Sequence, residues 1–133
     1  MSNQLSTVQQ IYACFAQGDI PGILANLAEE VTFFNGADPK VAPFGGTFHG
    51  KNEVINFFTA LGRSLQTTHF EPSNFREAGN QVINEVQHDG IAIHTGKPFS
   101  VKTVFTWTFN EQGLPVEWKG VGDFTSMNDA LLN

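Results

Sequence analysis

The sequence predicts an α+β domain, with three helices near the N-terminus packed on one face of a strongly curved antiparallel sheet. Apolar residues recur at helical spacing up to about residue 65, and beyond it the pattern changes to strand-like alternation between turn signals. Helices first and a meander of long strands afterwards is the element order of this class. The rest of the chain is organised around residues 113–125, GLPVEWKGVGDFT. In this stretch Val116, Trp118, Gly120, Gly122 and Phe124 alternate with Glu117, Lys119, Val121 and Asp123. Two glycines interrupt its large apolar face, so an indentation is expected there, filled by a neighbouring backbone or by a ligand.

Leu5, Val8, Ile11, Tyr12 and Phe15 form the stripe of a first helix, with Ser6 and Gln9 in the relation of a capping box and Gly18 at its end. Asp19 caps a second, shorter helix with Pro21 in its first turn and Ile23, Leu24 and Leu27 on its apolar side. Residues 31–34 make a short strand, and residues 35–46 a loop rich in glycine and proline that suits the rim of a pocket. After Gly50 a third helix presents Val54, Phe57, Phe58, Leu61 and Leu65 on one stripe. Four long strands are expected at residues 67–76, 81–89, 99–109 and 115–125. Turn signals separate them at Gly79 and Asn80, at Asp89 and Gly90, and at residues 111–113. Ser126 is placed to cap a last helical turn.

A chain of 133 residues suits a single domain with a core of its own. Thirteen phenylalanines are more aromatic area than a small monomer covers easily, which points to a homodimer. A net charge of −6 with only seven scattered Lys and Arg argues against a nucleic-acid partner. No apolar run approaches the roughly 18 residues of a membrane span, and no leader pattern opens the sequence, so a cytoplasmic location is expected. Cys14, the single cysteine, reads as buried filler between Ala13 and Phe15. The Ser, Thr and Gly residues form no nucleophile elbow, phosphate loop or dinucleotide fingerprint, so the reading is cofactor-free.

Four histidines, at 49, 69, 88 and 94, lack the i, i+4 pairing of a helical metal site, and no metal is expected. His88 shares strand parity with Asn84, so both present polar groups to a pocket wall if that face points inward. Beside the turn signal Asp89-Gly90, His88 reads equally as a solvent-facing hairpin end. His49 precedes a helix and serves its start. Asp123 lies opposite Trp118 and Gly120 and reads as a solvated or capping group, and Asp38 sits in the rim loop, where turn chemistry explains it.

The run IYACFAQGDIPGILANLAEEVTF, the later PFGGTFHGKNEVINFF, the TGK at 95–97, WTF at 107–109 and the turn at Gly113 come in a telling order. Together they resemble the SnoaL-like branch of the nuclear transport factor 2 and ketosteroid isomerase superfamily, over nearly the whole chain. The resemblance implies a cone-shaped fold that opens on a cavity. It also implies positions for acid/base groups, and here three of them hold Asn35, Phe105 and Gly120, none of which transfers a proton at neutral pH. Tyr12 lies one residue from the position of the isomerase tyrosine, a rotation of about 100° on a helix. The arginine of related epoxide hydrolases has only Arg63 and Arg76 to represent it.

The leading expectation is thus a pocket that binds a small apolar or aromatic molecule. Its walls would be Tyr12, Phe15, Phe33, Phe58, Phe105, Trp107, Trp118 and Gly120, with Asn35, Asn84 and His88 orienting a carbonyl or hydroxyl. Two alternatives stand beside it: an isomerase-, cyclase- or hydrolase-like enzyme using a relocated pair such as His88 with Asp38, and a non-catalytic oligomerisation or protein-interaction domain whose cone is filled by its own side chains.

Overall fold

The computed structural model describes residues 3–133. Among these, four helices and six strands follow one another as α1 (Gln4–Ala16), α2 (Ile20–Ala25), β1 (Thr32–Asn35), β2 (Gly46–His49), α3 (Gly50–Ser64), β3 (Leu65–Ala78), β4 (Gln81–Ala92), β5 (Pro98–Phe109), β6 (Pro115–Gly122) and α4 (Thr125–Leu131). The strands form one sheet in the order β2-β1-β6-β5-β4-β3. Its inner face is covered by the helices. Along β4 every second residue is buried, from Val82 to Ala92, as a sheet with one solvated face requires.

Irregularities curl the sheet. Register shifts interrupt the β3–β4 ladder between Thr67 and His69 and between Ser73 and Arg76. At the second, Asn74 adopts a left-handed φ of 54° and its amide donates to Glu85 Oε2 at 2.9 Å. The extra residue re-aims Phe75 inward, where its ring meets that of Tyr12 edge-on at 6.0 Å.

The first three helices stand where apolar spacing places them. Asp19 accepts from Gly22 N–H at 2.9 Å at the start of α2. Phe57 and Phe58 of α3 reach the sheet, with ring centroids 5.6 and 5.9 Å from Phe33. Two expected caps are not formed. The first helix begins before Ser6, after Asn3, and Ser6 is an exposed position within it. Ser126 lies inside α4, where its hydroxyl accepts from Ser100 N–H at 3.0 Å, while Asp123 accepts from Thr125 N–H.

Three further expectations are corrected by pairing. The end of the rim loop is a strand: β2 lies antiparallel to β1, with Phe33 opposite Phe48. β1 in turn runs parallel to β6, so the otherwise antiparallel sheet contains one parallel pair, Phe33 with Trp118 and Asn35 with Gly120. Asp89-Gly90 is not a turn. β4 continues to Ala92, and Gly90 is needed because a Cβ there would run into the Gln66 carbonyl and lie 2.8 Å from the Phe99 ring.

Gly120 shows what fills the anticipated indentation. A Cβ at this position would stand 2.8 Å from Trp118 Cζ2 and 3.1 Å from Phe105 Cε1, so the space is taken by the chain's own rings. Gly120→Leu is therefore expected to disturb the fold rather than plug an empty site, costing about 1–3 kcal/mol by overpacking. Denaturant unfolding of this variant checks it; a midpoint equal to the parent's would mean that the rings yield freely.

Candidate functional site

Between the inner face of the sheet and helices α1, α3 and α4 lies a cavity with about 60 Å³ of room for the centre of a water molecule. That holds more than one water. Its walls are mostly rings: Tyr12 and Phe15 from α1, Phe33 from β1, Phe58 from α3, Phe105 and Trp107 from β5, and Trp118 from β6. Asn35 and His88 are also in the lining. Not anticipated as lining were Ile11, Ile23, Phe44, Phe57, Leu61, Phe70, Val101, Thr103, Phe124 and Met127. For Phe57 and Phe70 the signal was present in the helix stripe and the strand parity. Phe124 belongs to the apolar face read at residues 113–125, whereas Phe44 and Met127 come from a loop and from α4, whose path the sequence does not disclose.

Two expected members are not in the lining. Asn84 is fully buried behind Tyr12, accepting from its hydroxyl at 2.8 Å and donating to the Glu85 carbonyl at 2.9 Å. Gly120 is covered by Trp118 and Phe105. Asp38 is exposed in the rim loop, outside the lining, with its carboxylate accepting from Lys40 N–H at 2.9 Å. The structure thus does not bring Asp38 to the cavity as a partner for His88. Arg63 and Arg76 are both exposed. His49 precedes α3 without a side-chain cap, and it is Glu53 that accepts from the His49 N–H, at 2.7 Å.

Among the lining residues there is no Asp, Glu, Lys or Arg, so the two titratable groups, Tyr12 and His88, decide the electrostatics. Burial holds the Tyr12 phenol protonated far above the usual tyrosine range, although its bonds with Trp107 and Asn84 act in the opposite direction. Trp107 Nε1–H donates to the Tyr12 oxygen at 3.0 Å, which completes a chain from indole to phenol to amide. His88 is buried, not a solvent-facing hairpin end, because β4 runs past it. Its Nε2 is hydrogen-bonded to Thr67 Oγ1 at 2.8 Å, and the rings of Phe70 and Phe99 stand edge-on at 5.3 and 5.2 Å. Burial lowers its pKa to about 4, with Asp89 acting weakly the other way. The imidazole is neutral at pH 7 and poorly placed to hold a proton. Among the described residues no group of three or more His, Cys, Asp or Glu is placed to hold a metal ion.

Two measurements follow from this wall. Tyr12→Phe strands Asn84 Oδ1 and Trp107 Nε1 without a partner and should cost about 1–3 kcal/mol in stability; a neutral effect in urea unfolding would show that the chain of bonds contributes nothing. His88 takes up a proton near pH 6.5 when unfolded and only near pH 4 when folded. Stability present above pH 6.5 is then lost as the pH falls toward 4, by about 3 kcal/mol in total. His88→Gln should remove that part of the acid loss between pH 7 and 4.5, whereas identical pH dependence in parent and variant would show His88 already charged in the fold.

The comparisons bear on the family and the fold. Residues 8–118 match the SnoaL-like domain family. No curated protein matches the sequence. An NTF2-like protein of unknown function from Burkholderia pseudomallei is 28% identical, with a TM-score of 0.90 over 100% of both chains. TerC, co-crystallised with polyporic acid, is 21% identical with a TM-score of 0.86 over 98% of both chains. A Mycobacterium tuberculosis protein in complex with estradiol-17β-hemisuccinate is 22% identical, with a TM-score of 0.70, over 95% of this chain and 98% of that one. The last two likenesses show the fold. With the family match covering residues from α1 into β6, this chain belongs to the SnoaL-like domain family.

Proposed function

We propose that the protein binds a small, uncharged, hydrophobic or aromatic molecule in this cavity and does not transform it by the family's acid/base chemistry. The observation that carries the reading is a cavity walled by rings, with Asn35 and Phe105 in its lining and Gly120 behind Trp118 at the positions where the resemblance implies proton-transfer groups. Asn35 accepts from Ala37 N–H at 2.9 Å, a backbone-turn role that a proton shuttle does not have. The small molecules held by TerC and by the mycobacterial protein are consistent with such a use of this fold. One observation favours the self-filled alternative: the Trp118 ring lies over Gly120 and leaves limited room, so a ligand much larger than one ring requires side chains to move.

Titration with toluene and naphthalene, followed through the methyl resonances of Ile11 and Ile23, should give saturable shifts. No saturable change with either compound would leave the self-filled domain as the better reading. With a 5-ene-3-ketosteroid, isomerisation should stay at the uncatalysed rate, because Asn35 is no base; turnover of about 1–1000 per second would show that another group carries the proton.

The reading includes a homodimer through the outer sheet face, which carries half-buried Ile83, Ile91 and Val104, the last directly opposite exposed Val121. Sedimentation at micromolar concentration should then give twice the 14.6 kDa chain mass. A single species at the chain mass removes it.

A further inference from the structure

Two polar side-chain atoms of the cavity wall are buried without a hydrogen-bond partner: Thr103 Oγ1 and Trp118 Nε1. Their residues are only 3% and 4% exposed, so water does not satisfy them from outside. The other polar groups of this wall contrast with them, since Trp107 donates to Tyr12, Tyr12 to Asn84, and His88 is bonded to Thr67. A buried donor left unpaired costs about 1–3 kcal/mol and is uncommon in native folds.

The reason each is unpaired can be read from the strand register. Trp118 turns its six-membered ring over Gly120, with Cζ2 nearest to where a Cβ would be. Cζ2 is bonded to the carbon that carries Nε1, so the N–H edge of the indole adjoins the part of the ring that lies over Gly120. Thr103 stands on the inner face of β5 two residues before Phe105, the partner of Gly120, which makes Thr103 a diagonal neighbour of Gly120. Its direct cross-strand partners are Gly122 and Val86, neither of which has a polar side chain. Both unpaired groups therefore belong to lining residues that flank Gly120 on the inner face of the sheet.

Trp118 Nε1 is a donor only, and the Thr103 hydroxyl donates as readily as it accepts. A carbonyl oxygen, with two lone pairs, matches both. An anion would satisfy the donors too, but it would enter a wall without any cationic side chain and lose its hydration uncompensated. We propose that the ligand is an uncharged aryl carbonyl compound whose oxygen accepts from Trp118 Nε1–H and Thr103 Oγ1–H while its ring lies among the phenyl groups of the cavity. This rests on the small-molecule reading above and names the chemistry that the pocket selects.

The test uses three probes of one size: acetophenone, α-methylstyrene, in which CH2 replaces the carbonyl oxygen, and benzoate, which is charged. On the whole protein, acetophenone should shift the Trp118 indole N–H resonance downfield and leave that of Trp107 nearly unchanged. Thr103→Val, which keeps the shape of the side chain, should weaken acetophenone about three- to tenfold and leave α-methylstyrene unaffected; benzoate should not bind. Without ligand, Thr103→Val should melt at or above the parent temperature, because an unpaired hydroxyl has been removed. Trp118→Phe, checked first for folding, should also erase the preference for the ketone over the alkene. A clearly lower melting point for Thr103→Val, a ketone-to-alkene ratio unchanged by that variant, or benzoate binding as tightly as acetophenone overturns the inference while the pocket stands. Failure of all three probes overturns the pocket and the inference together.

Discussion

The packing of the Trp118 indole over Gly120 is the constraint on which the inner face of the sheet depends. Only a residue without a Cβ lets the ring lie along its own strand, and Phe105 then meets it edge-on at 4.9 Å from the neighbouring strand. The parallel pairing of β1 with β6 adds Phe33 at 4.9 Å, and α3 adds Phe57 at 5.5 Å. Helix, central strands and the short first strand thus share one aromatic cluster. The same arrangement makes the cavity small and turns an indole N–H to a place where the fold offers it nothing.

Polar groups in and directly behind the wall divide into two sets. Tyr12, Asn84 and Trp107 satisfy one another across three elements, which ties α1 to β4 and β5 and uses up their capacity to recognise anything else. His88 is similarly occupied with Thr67 and kept neutral by its surroundings. Thr103 Oγ1 and Trp118 Nε1, by contrast, have no partner in the fold. The two titratable groups of the wall are thus both held uncharged at pH 7, Tyr12 because burial raises its pKa and His88 because burial lowers its own.

Membership of the SnoaL-like family and a likeness in fold do not by themselves assign a reaction, because the fold places its cavity in the same region whatever residues line it. What distinguishes this chain is the content of particular positions. Asn35 caps its own turn through Ala37, Phe105 packs on Trp118, and Gly120 makes room for that packing. Each of these three residues has a structural role in the fold.

The helices, the long strands and the inward set of Tyr12, Phe15, Phe33, Phe105, Trp107 and Trp118 were legible in the sequence, because helical and strand periods are local and decide which side chains share a face. So was the absence of ionisable residues at Asn35, Phe105 and Gly120, which is a matter of identity alone. The partners of these residues were not. Whether Gly120 opened onto a ligand or onto an indole depended on the rotamer of Trp118. Whether Asp89-Gly90 turned or continued depended on the approach of Phe99 and the Gln66 carbonyl from neighbouring strands. The parallel β1–β6 pair joins segments more than eighty residues apart, and four-residue β2 has too little alternation to announce itself. Local pattern determined the faces; only the three-dimensional register decided which buried hydrogen-bonding groups of the wall found a partner within the chain and which, such as Thr103 Oγ1 and Trp118 Nε1, did not, because those partners come from strands and helices distant in sequence.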